Sequence, residues 1–407
     1  MNHATLRNII LFWLVWSVII IGFMQLAPQR ATVSRPDYTL TWTEYETTRR
    51  SNNDKPYLRD PLLNTQVAWD SEFYLSIATV GYDDPDVRIV HLRDDENSEE
   101  AYSMSYAFFP LYPAVMSVVR LPFTAMDITP IGASTIAGVI VSLLGTLAGM
   151  IALYDMVRDE MGEDGGFRAA SLMLLFPTSL FFAVVYTEGL FVGLTFSSLA
   201  FMRRKHLIVA AILAMFATWT RAVGISLMLP LFLSWVLMWR DSKNSTRLWV
   251  TLPLLALPLV GYGVWRLAYG VPFDFVQANW FGNGILLLDQ TIEAWTTLLE
   301  RATEFPETAI FAYTSLASVL LAIISCVVMA RRYPLLALFG LIAIAIPMTS
   351  GWTGTNSAIR YVLVIPTLWI MLAHWAKHPV FERVWTLFAT LLLAMQAYLF
   401  TFDFWVG

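Results

Sequence analysis

The chain has 407 residues, 57% of them hydrophobic and 14% charged, with a mean hydropathy of +0.58. A soluble domain is about 45–50% apolar and about 25% charged, so this composition excludes an ordinary soluble fold and defines an all-α polytopic membrane chain. The net charge of −5 gives no basis for a nucleic-acid partner, and the single cysteine, Cys326, excludes a disulfide within the chain.

The first apolar run, Leu6 to Ala27, is long enough to span a bilayer. It lacks the short apolar core and small-residue cleavage site of a signal peptide and reads as a retained span. A polar stretch, 28–130, follows. From Pro28 to Tyr106 it carries fifteen Asp and Glu against eight Lys and Arg. Within it, "VAWDSEFYLSIATVGY" (67–82) predicts a short helix over Asp70 to Ala78, with Asp70 or Ser71 as its N-cap and Gly81 near its end. Trp69, Phe73 and Ile77 share one face of it, and Asp70, Tyr74 and Ala78 a neighbouring one. Such a helix is expected in the membrane interface, with its aromatics at headgroup depth. By helix grammar alone Asp70 is a cap; the alternative is that its carboxylate is placed for chemistry.

The acidic run that follows has Asp83, Asp84 and Asp86, then Asp94, Asp95, Glu96, Glu99 and Glu100. It reads as a solvated loop, with divalent-ion binding the lesser option and no βαβ context for a nucleotide-sugar site. The run from Ala107 to Pro122 is apolar but holds three prolines and Arg120. At about 24 Å as a helix it falls short of a bilayer core of about 30 Å and reads as a juxtamembrane or re-entrant segment. Further apolar runs lie at 131–156, 169–187, 189–202, 207–220, 223–239, 248–268, 309–330, 334–349, 361–376 and 384–403. That makes about eleven spans, several shorter than the roughly 20 residues a span needs. Pro177, in "LFPTSLFF", is expected to kink its helix. A second polar segment, Gly270 to Glu307, contains a surface helix near Gln290 to Arg301. No internal repeat divides the chain, which reads as one membrane domain over 1–407 with an external loop at 28–130.

Lys and Arg in short loops set the orientation. With Arg7 in the cytoplasm, the cytoplasmic turns are Arg158 to Arg168, Arg203-Arg204-Lys205, Arg240 to Arg247, Arg331-Arg332 and Lys377 to Arg383. Three ionisable residues then fall at the opposite, external ends of apolar runs: Glu188 in "FFAVVYTEGLF", Arg221 in "ATWTRAVG" and Arg360 in "TNSAIRYVL". Charges at membrane depth are expensive and tend to serve function. Together with Asp70 they suit an anionic, partly lipidic substrate. His374 and His378, spaced four apart at a helix end, fit a dipole role better than a metal site.

Five stretches in order, "WDSEFYLSIATVGY", "AFFPLYP", "LFPTSLFFAVVYTEGLF", "TWTRAVGISLMLPL" and "IRYVLVIP", resemble the motifs of the PIG-V family, the second mannosyltransferase of GPI-anchor assembly and its bacterial relatives, within the GT-C class of polytopic glycosyltransferases. The resemblance covers 69–366. It implies a hexose, most simply mannose, carried by a polyprenyl-phosphate donor and transferred to an external glycan or glycolipid acceptor among the membrane lipids, with no cofactor and no metal ligand assigned. It puts Asp70 at the position of the catalytic base, with Glu188 as a second catalytic acid that orients the acceptor or tunes Asp70. Arg221 and Arg360 are expected to hold the leaving phosphate, since guanidinium matches phosphate in a bidentate fork. Trp69, Tyr74, Tyr186 and Tyr361 are expected to contact substrate. The spacing between Gly81-Tyr82 and "AFFPLYP" is longer and more acidic than the family pattern, so no residue is carried over from it. The expected location is a bacterial plasma membrane with the site facing out, or the endoplasmic reticulum in a eukaryote. The rival class is a transporter or lipid-binding scaffold, for which paired half-repeats with midplane-broken helices would be the sign.

Overall fold

The apolar runs fold as helices in a computed structural model that describes residues 3–30, 63–92, 100–241 and 246–407. In chain order the principal helices are α1 (His3–Leu26), α2 (Asp70–Thr79), α3 (Leu111–Val119), α4 (Pro130–Leu174), α5 (Glu188–Arg203), α6 (Leu207–Thr220) and α7 (Met228–Asp241). They continue as α8 (Leu257–Asn279), α9 (Leu288–Glu304), α10 (Pro306–Met329), α11 (Pro334–Ala345), α12 (Pro366–Trp375) and α13 (Pro379–Thr401). Proline opens α4, α10, α11, α12 and α13. Its fixed φ suits the first helical position, where its missing N–H costs nothing. A small antiparallel pair, β1 (Ile89–His91) and β2 (Ala101–Ser103), is the only sheet among the described residues.

Among those residues six helices are long and apolar enough to cross a bilayer, or seven if the pair Ala358–Val364 and Pro366–Trp375, bent by 81°, is one span. The other expected runs appear as shorter helices: α5 with 16 residues, α6 with 14 and α11 with 12. The 107–122 segment is no span, since α3 has nine residues. The runs at 131–156 and 169–187 also differ from two plain helices. They share α4, which breaks at Gly162, where φ is +76°. Past Leu174 the chain leaves the helix altogether, so Pro177 ends this helix rather than kinking it.

That irregular stretch, 175–187, is almost wholly buried, and irregular backbone in a membrane protein is tolerated only where protein groups satisfy it. They do so here. The Val185 amide donates to the Gln66 carbonyl (3.1 Å), Ser142 Oγ to the Tyr186 carbonyl (2.9 Å) and Thr146 Oγ1 to the Phe182 carbonyl (3.3 Å).

Helices α4 and α5 meet backbone to backbone. A Cβ added to Gly189 of α5 would lie 2.1 Å from the Ser142 carbonyl oxygen of α4, and one on Gly145 would lie 2.5 Å from the Gly189 carbonyl oxygen. Only glycine permits this approach, the small-residue packing that lets membrane helices meet backbone to backbone. It fixes the first turn of α5, which begins with Glu188.

The basic turns gather at one end of the bundle. Glu160 pairs with both Arg203 (3.2 Å) and Arg332 (2.6 Å), Asp155 with Arg204, and Arg168 with Glu382 (3.8 Å). α5 runs from Glu188 to Arg203, so at about 1.5 Å per residue Glu188 lies roughly 22 Å from that end.

Candidate active site

The α2 helix begins at Asp70, and its N-cap is Trp69, held at φ +54° and ψ −119° with no side-chain cap bond. Asp70 therefore does not cap the helix. Its carboxylate accepts from Arg360 Nη1 at 3.0 Å, across 290 positions of sequence. Nor does α2 rest its aromatics on a lipid surface: Phe73, Tyr74 and Leu75 are buried, Phe73 stacks on Phe108 at 4.7 Å, and Tyr74 meets Tyr112 and Tyr186 edge-on. The aromatic content seen in sequence makes protein contacts instead. Burial first, and then the Asp70 and Glu188 charges, push the Tyr74 phenol well above its ordinary pKa, so it stays protonated.

Downstream of α2, Asp84 is buried rather than solvated. It accepts from Ser76 Oγ (2.7 Å) and from the Asp86 amide (3.0 Å), closing the turn after Gly81. Asp94, Asp95, Glu96 and Glu99 lie outside the described residues.

Four charged side chains converge from α2, α5, the α6–α7 junction and the turn before α12. Glu188 Oε1 accepts from Arg221 Nη1 at 2.5 Å and lies 3.8 Å from Arg360 Nε. Its Oε2 is buried with no hydrogen-bond partner among the described residues. Arg360 is 6% exposed at its side chain, Glu188 3%, Arg221 19% and Asp70 21%. The guanidinium of Arg360 makes two hydrogen bonds, Nη1 to Asp70 and Nη2 to Ser357 Oγ (2.8 Å), while its buried Nε faces Glu188 at 3.8 Å with no hydrogen bond among the described residues. It also lies over the rings of Phe181, Tyr186 and Trp405, at 5.3, 5.1 and 5.1 Å. Arg221 is less committed. Only its Nη1 makes hydrogen bonds, to Glu188 and to Thr187 Oγ1 (3.5 Å), and the group lies over Tyr361 at 5.2 Å. Two carboxylates and two guanidiniums leave the cluster formally neutral, with its accessible positive charge on Arg221.

A cavity of about 980 Å³ opens onto this cluster. Trp69, Asp70, Tyr74, Glu188, Arg221, Arg360 and Tyr361 all line it. Tyr186 does not. It is buried beneath the floor, where its hydroxyl accepts from the Asp70 amide and donates to the Ala68 carbonyl, both at 3.2 Å. Those two bonds brace the start of α2. The facing wall is built by α8 and the turn after it and includes the Arg266–Asp274 ion pair, Gln277, Trp280 and Asn283.

Sequence reasoning missed Trp405, which also lines the cavity, and Asp403, whose carbonyl accepts the Trp69 indole N–H at 2.9 Å. The only sequence signal for either was the aromatic tail "FDFWVG" after the last apolar run.

The fold and this cluster define a polytopic membrane protein with an acid–arginine cavity at the end of the bundle away from its basic turns. Residues 51–259, just over half of the chain, match the family Mannosyltransferase (PIG-V), and the chain belongs to that family. It is 28% identical over 171 residues to GPI alpha-1,6-mannosyltransferase 2 of Homo sapiens, covering 41% of this chain and 31% of that protein. The same protein of Cricetulus griseus is 26% identical over 172 residues, again 41% and 31%. The match thus spans about a third of the length of these curated relatives. Among solved structures it is similar to ArnT from Cupriavidus metallidurans bound to undecaprenyl phosphate (TM-score 0.45, 16% identity, 84% of this chain and 73% of that one). It is also similar to the oligosaccharyltransferase AglB from Archaeoglobus fulgidus in complex with an inhibitory peptide and a dolichol-phosphate (TM-score 0.42, 12% identity, 96% and 56%).

Proposed function

We propose that the chain is a GT-C-type membrane glycosyltransferase that moves a hexose, most simply mannose, from a polyprenyl-phosphate donor to a hydroxyl of a glycan or glycolipid acceptor on the external side of the membrane. The observation that carries this reading is the convergence of Asp70, Glu188, Arg221 and Arg360 on one cavity from four separate stretches. Membership of the mannosyltransferase family supports the choice of sugar.

The reaction is one inverting displacement. The acceptor oxygen attacks the anomeric carbon, and its proton passes to Asp70. The bond from that carbon to the phosphate oxygen breaks, and its electron pair leaves on the phosphate. The leaving group is already an anion of modest basicity, so it needs charge stabilisation more than protonation. Their different partners support a division of these tasks between the two arginines. Arg221, with Nε and Nη2 making no hydrogen bond among the described residues, meets the phosphate. Arg360, occupied by Asp70, Ser357 and Glu188, holds the base. Glu188 fixes both guanidiniums from the cavity wall.

Purified protein in proteoliposomes would be given radiolabelled mannose either on a polyprenyl phosphate or on a nucleoside diphosphate, with extracted envelope glycolipids as acceptor. Transfer from the lipid carrier alone is expected. Transfer from the nucleotide sugar alone would overturn the donor assignment, and transfer from neither would overturn the reading.

A further inference from the structure

We propose that the segment after the last helix, 402–407, is a working part of this site, and that Trp405 is a positioning residue for Asp70 and Arg360. It lies outside the family-matched residues 51–259 and beyond the last motif seen in sequence. Phe402, Asp403, Val406 and Gly407 are all buried, so the chain turns back into the bundle after α13.

Trp405 ties three elements together. Its indole N–H donates to the Asn356 carbonyl at 2.9 Å, in the turn that carries Arg360. Its ring lies 5.1 Å from the Arg360 guanidinium carbon. It also meets the Trp69 ring edge-on, at 5.3 Å and 80°. Two residues earlier, the Asp403 carbonyl holds the Trp69 indole N–H. Gly407 is packed so closely that a Cβ there would come 2.6 Å from Arg360 Cγ.

These contacts bear on the two residues that most need holding. Trp69 has a backbone conformation that a residue with a Cβ rarely adopts. Such a conformation persists only where the surroundings over-determine it. Here the Asp403 carbonyl and the Trp405 ring do so, and the next residue is Asp70. Arg360 has hydrogen bonds to orient it in its own plane, while the indole face limits its tilt out of that plane. Loss of Trp405 therefore loosens both partners of the Asp70–Arg360 pair, while Arg221, which lies over Phe191 and Tyr361, keeps its own contacts.

The test rests on the transferase reading for its kinetic arm. Trp405→Leu is expected to lower kcat about 10- to 100-fold, the scale of a small misplacement of reacting groups, with KM for the lipid-linked donor changed less than about threefold. Trp405→Phe keeps a ring over Arg360 and against Trp69 and is expected to recover at least about tenfold of that loss. A kcat for Trp405→Leu within about twofold of the parent would overturn the proposal, and so would a Trp405→Phe variant no better than Trp405→Leu. A second arm needs no activity. In thermal unfolding, Trp405→Leu and Arg360→Lys, which keeps the charge but loses the flat guanidinium, are expected to give a double variant whose Tm shift is smaller than the sum of the two. Strictly additive shifts would refute the contact on which the positioning role depends. If the parent transfers nothing, the glycosyltransferase reading fails while this second arm still decides the positioning claim.

Discussion

Asp70→Asn separates a base from a structural carboxylate. The amide has the same size and can still accept the 3.0 Å bond from Arg360 Nη1, but it takes no proton at neutral pH. The structural cost is small. An ion pair becomes a bond from the guanidinium to a neutral amide, a loss of about 1 kcal/mol, less because the side chain is 21% exposed. Losing an acid from the first turn of α2 adds about 0.3–1 kcal/mol. Arg360 keeps Glu188 and Ser357 as partners, so no buried cation is stranded. The kinetic cost is far larger, since removing a general base typically lowers the rate about 10²–10⁴-fold. The sign of the donor effect is opposite: the cluster moves from formally neutral to one positive charge, so KM for a phosphate-bearing donor is expected to stay level or fall. Parent and variant would be compared for mannosyl transfer from a polyprenyl-phosphate donor, with Tm measured on the same preparations. A kcat within about threefold of the parent would sink the assignment of Asp70 as base.

Arg221→Lys, which retains charge but loses the fork, is expected to raise the donor KM at least about tenfold in the same assay; an unchanged KM would move the phosphate elsewhere, with Arg266 the next cation on the cavity wall. Gly189→Ala puts a methyl group into the Ser142 backbone and is expected to destabilise by about 1–3 kcal/mol, seen as a lower Tm; an unaltered Tm would mean that α4 and α5 do not meet so closely. For sidedness, an impermeant thiol reagent on intact cells is expected to label Pro85→Cys but not Lys205→Cys, both exposed positions, in a Cys326→Ala background. Labelling of the second alone would invert the orientation.

Much of the fold was legible because apolar length and breaker residues are local properties. The boundaries at Leu207–Thr220, Pro306–Met329 and Pro379–Thr401 fall within a few residues of the runs read from sequence. The 169–187 run misled for a physical reason: its backbone is satisfied by Ser142, Thr146 and Gln66, none of which is near it in sequence. The side chains of the site were legible because a charge in an apolar chain is conspicuous. Their pairing was not, since nothing local says that Arg360 belongs to Asp70 and Arg221 to Glu188. Tyr186 and Trp405 show the same limit. An aromatic residue in an aromatic-rich chain carries no mark that distinguishes a hydroxyl under α2 from a ring in the core.

The two ion pairs differ greatly in chain separation, 33 positions for Glu188–Arg221 and 290 for Asp70–Arg360. During synthesis the first pair closes as soon as two successive helices have formed, so neither charge waits long without its counter-ion. The second cannot close until the chain has been made through Arg360, and until then the Asp70 carboxylate has to stay in water, since an unpaired ion is costly in an apolar setting. The half of the site proposed to grip phosphate is thus an early assembly and the half proposed to remove a proton a late one. A nascent or truncated chain that lacks residue 360 is left without the cation that aligns its base, which keeps the proton-transfer half of the site from being completed before the bundle is.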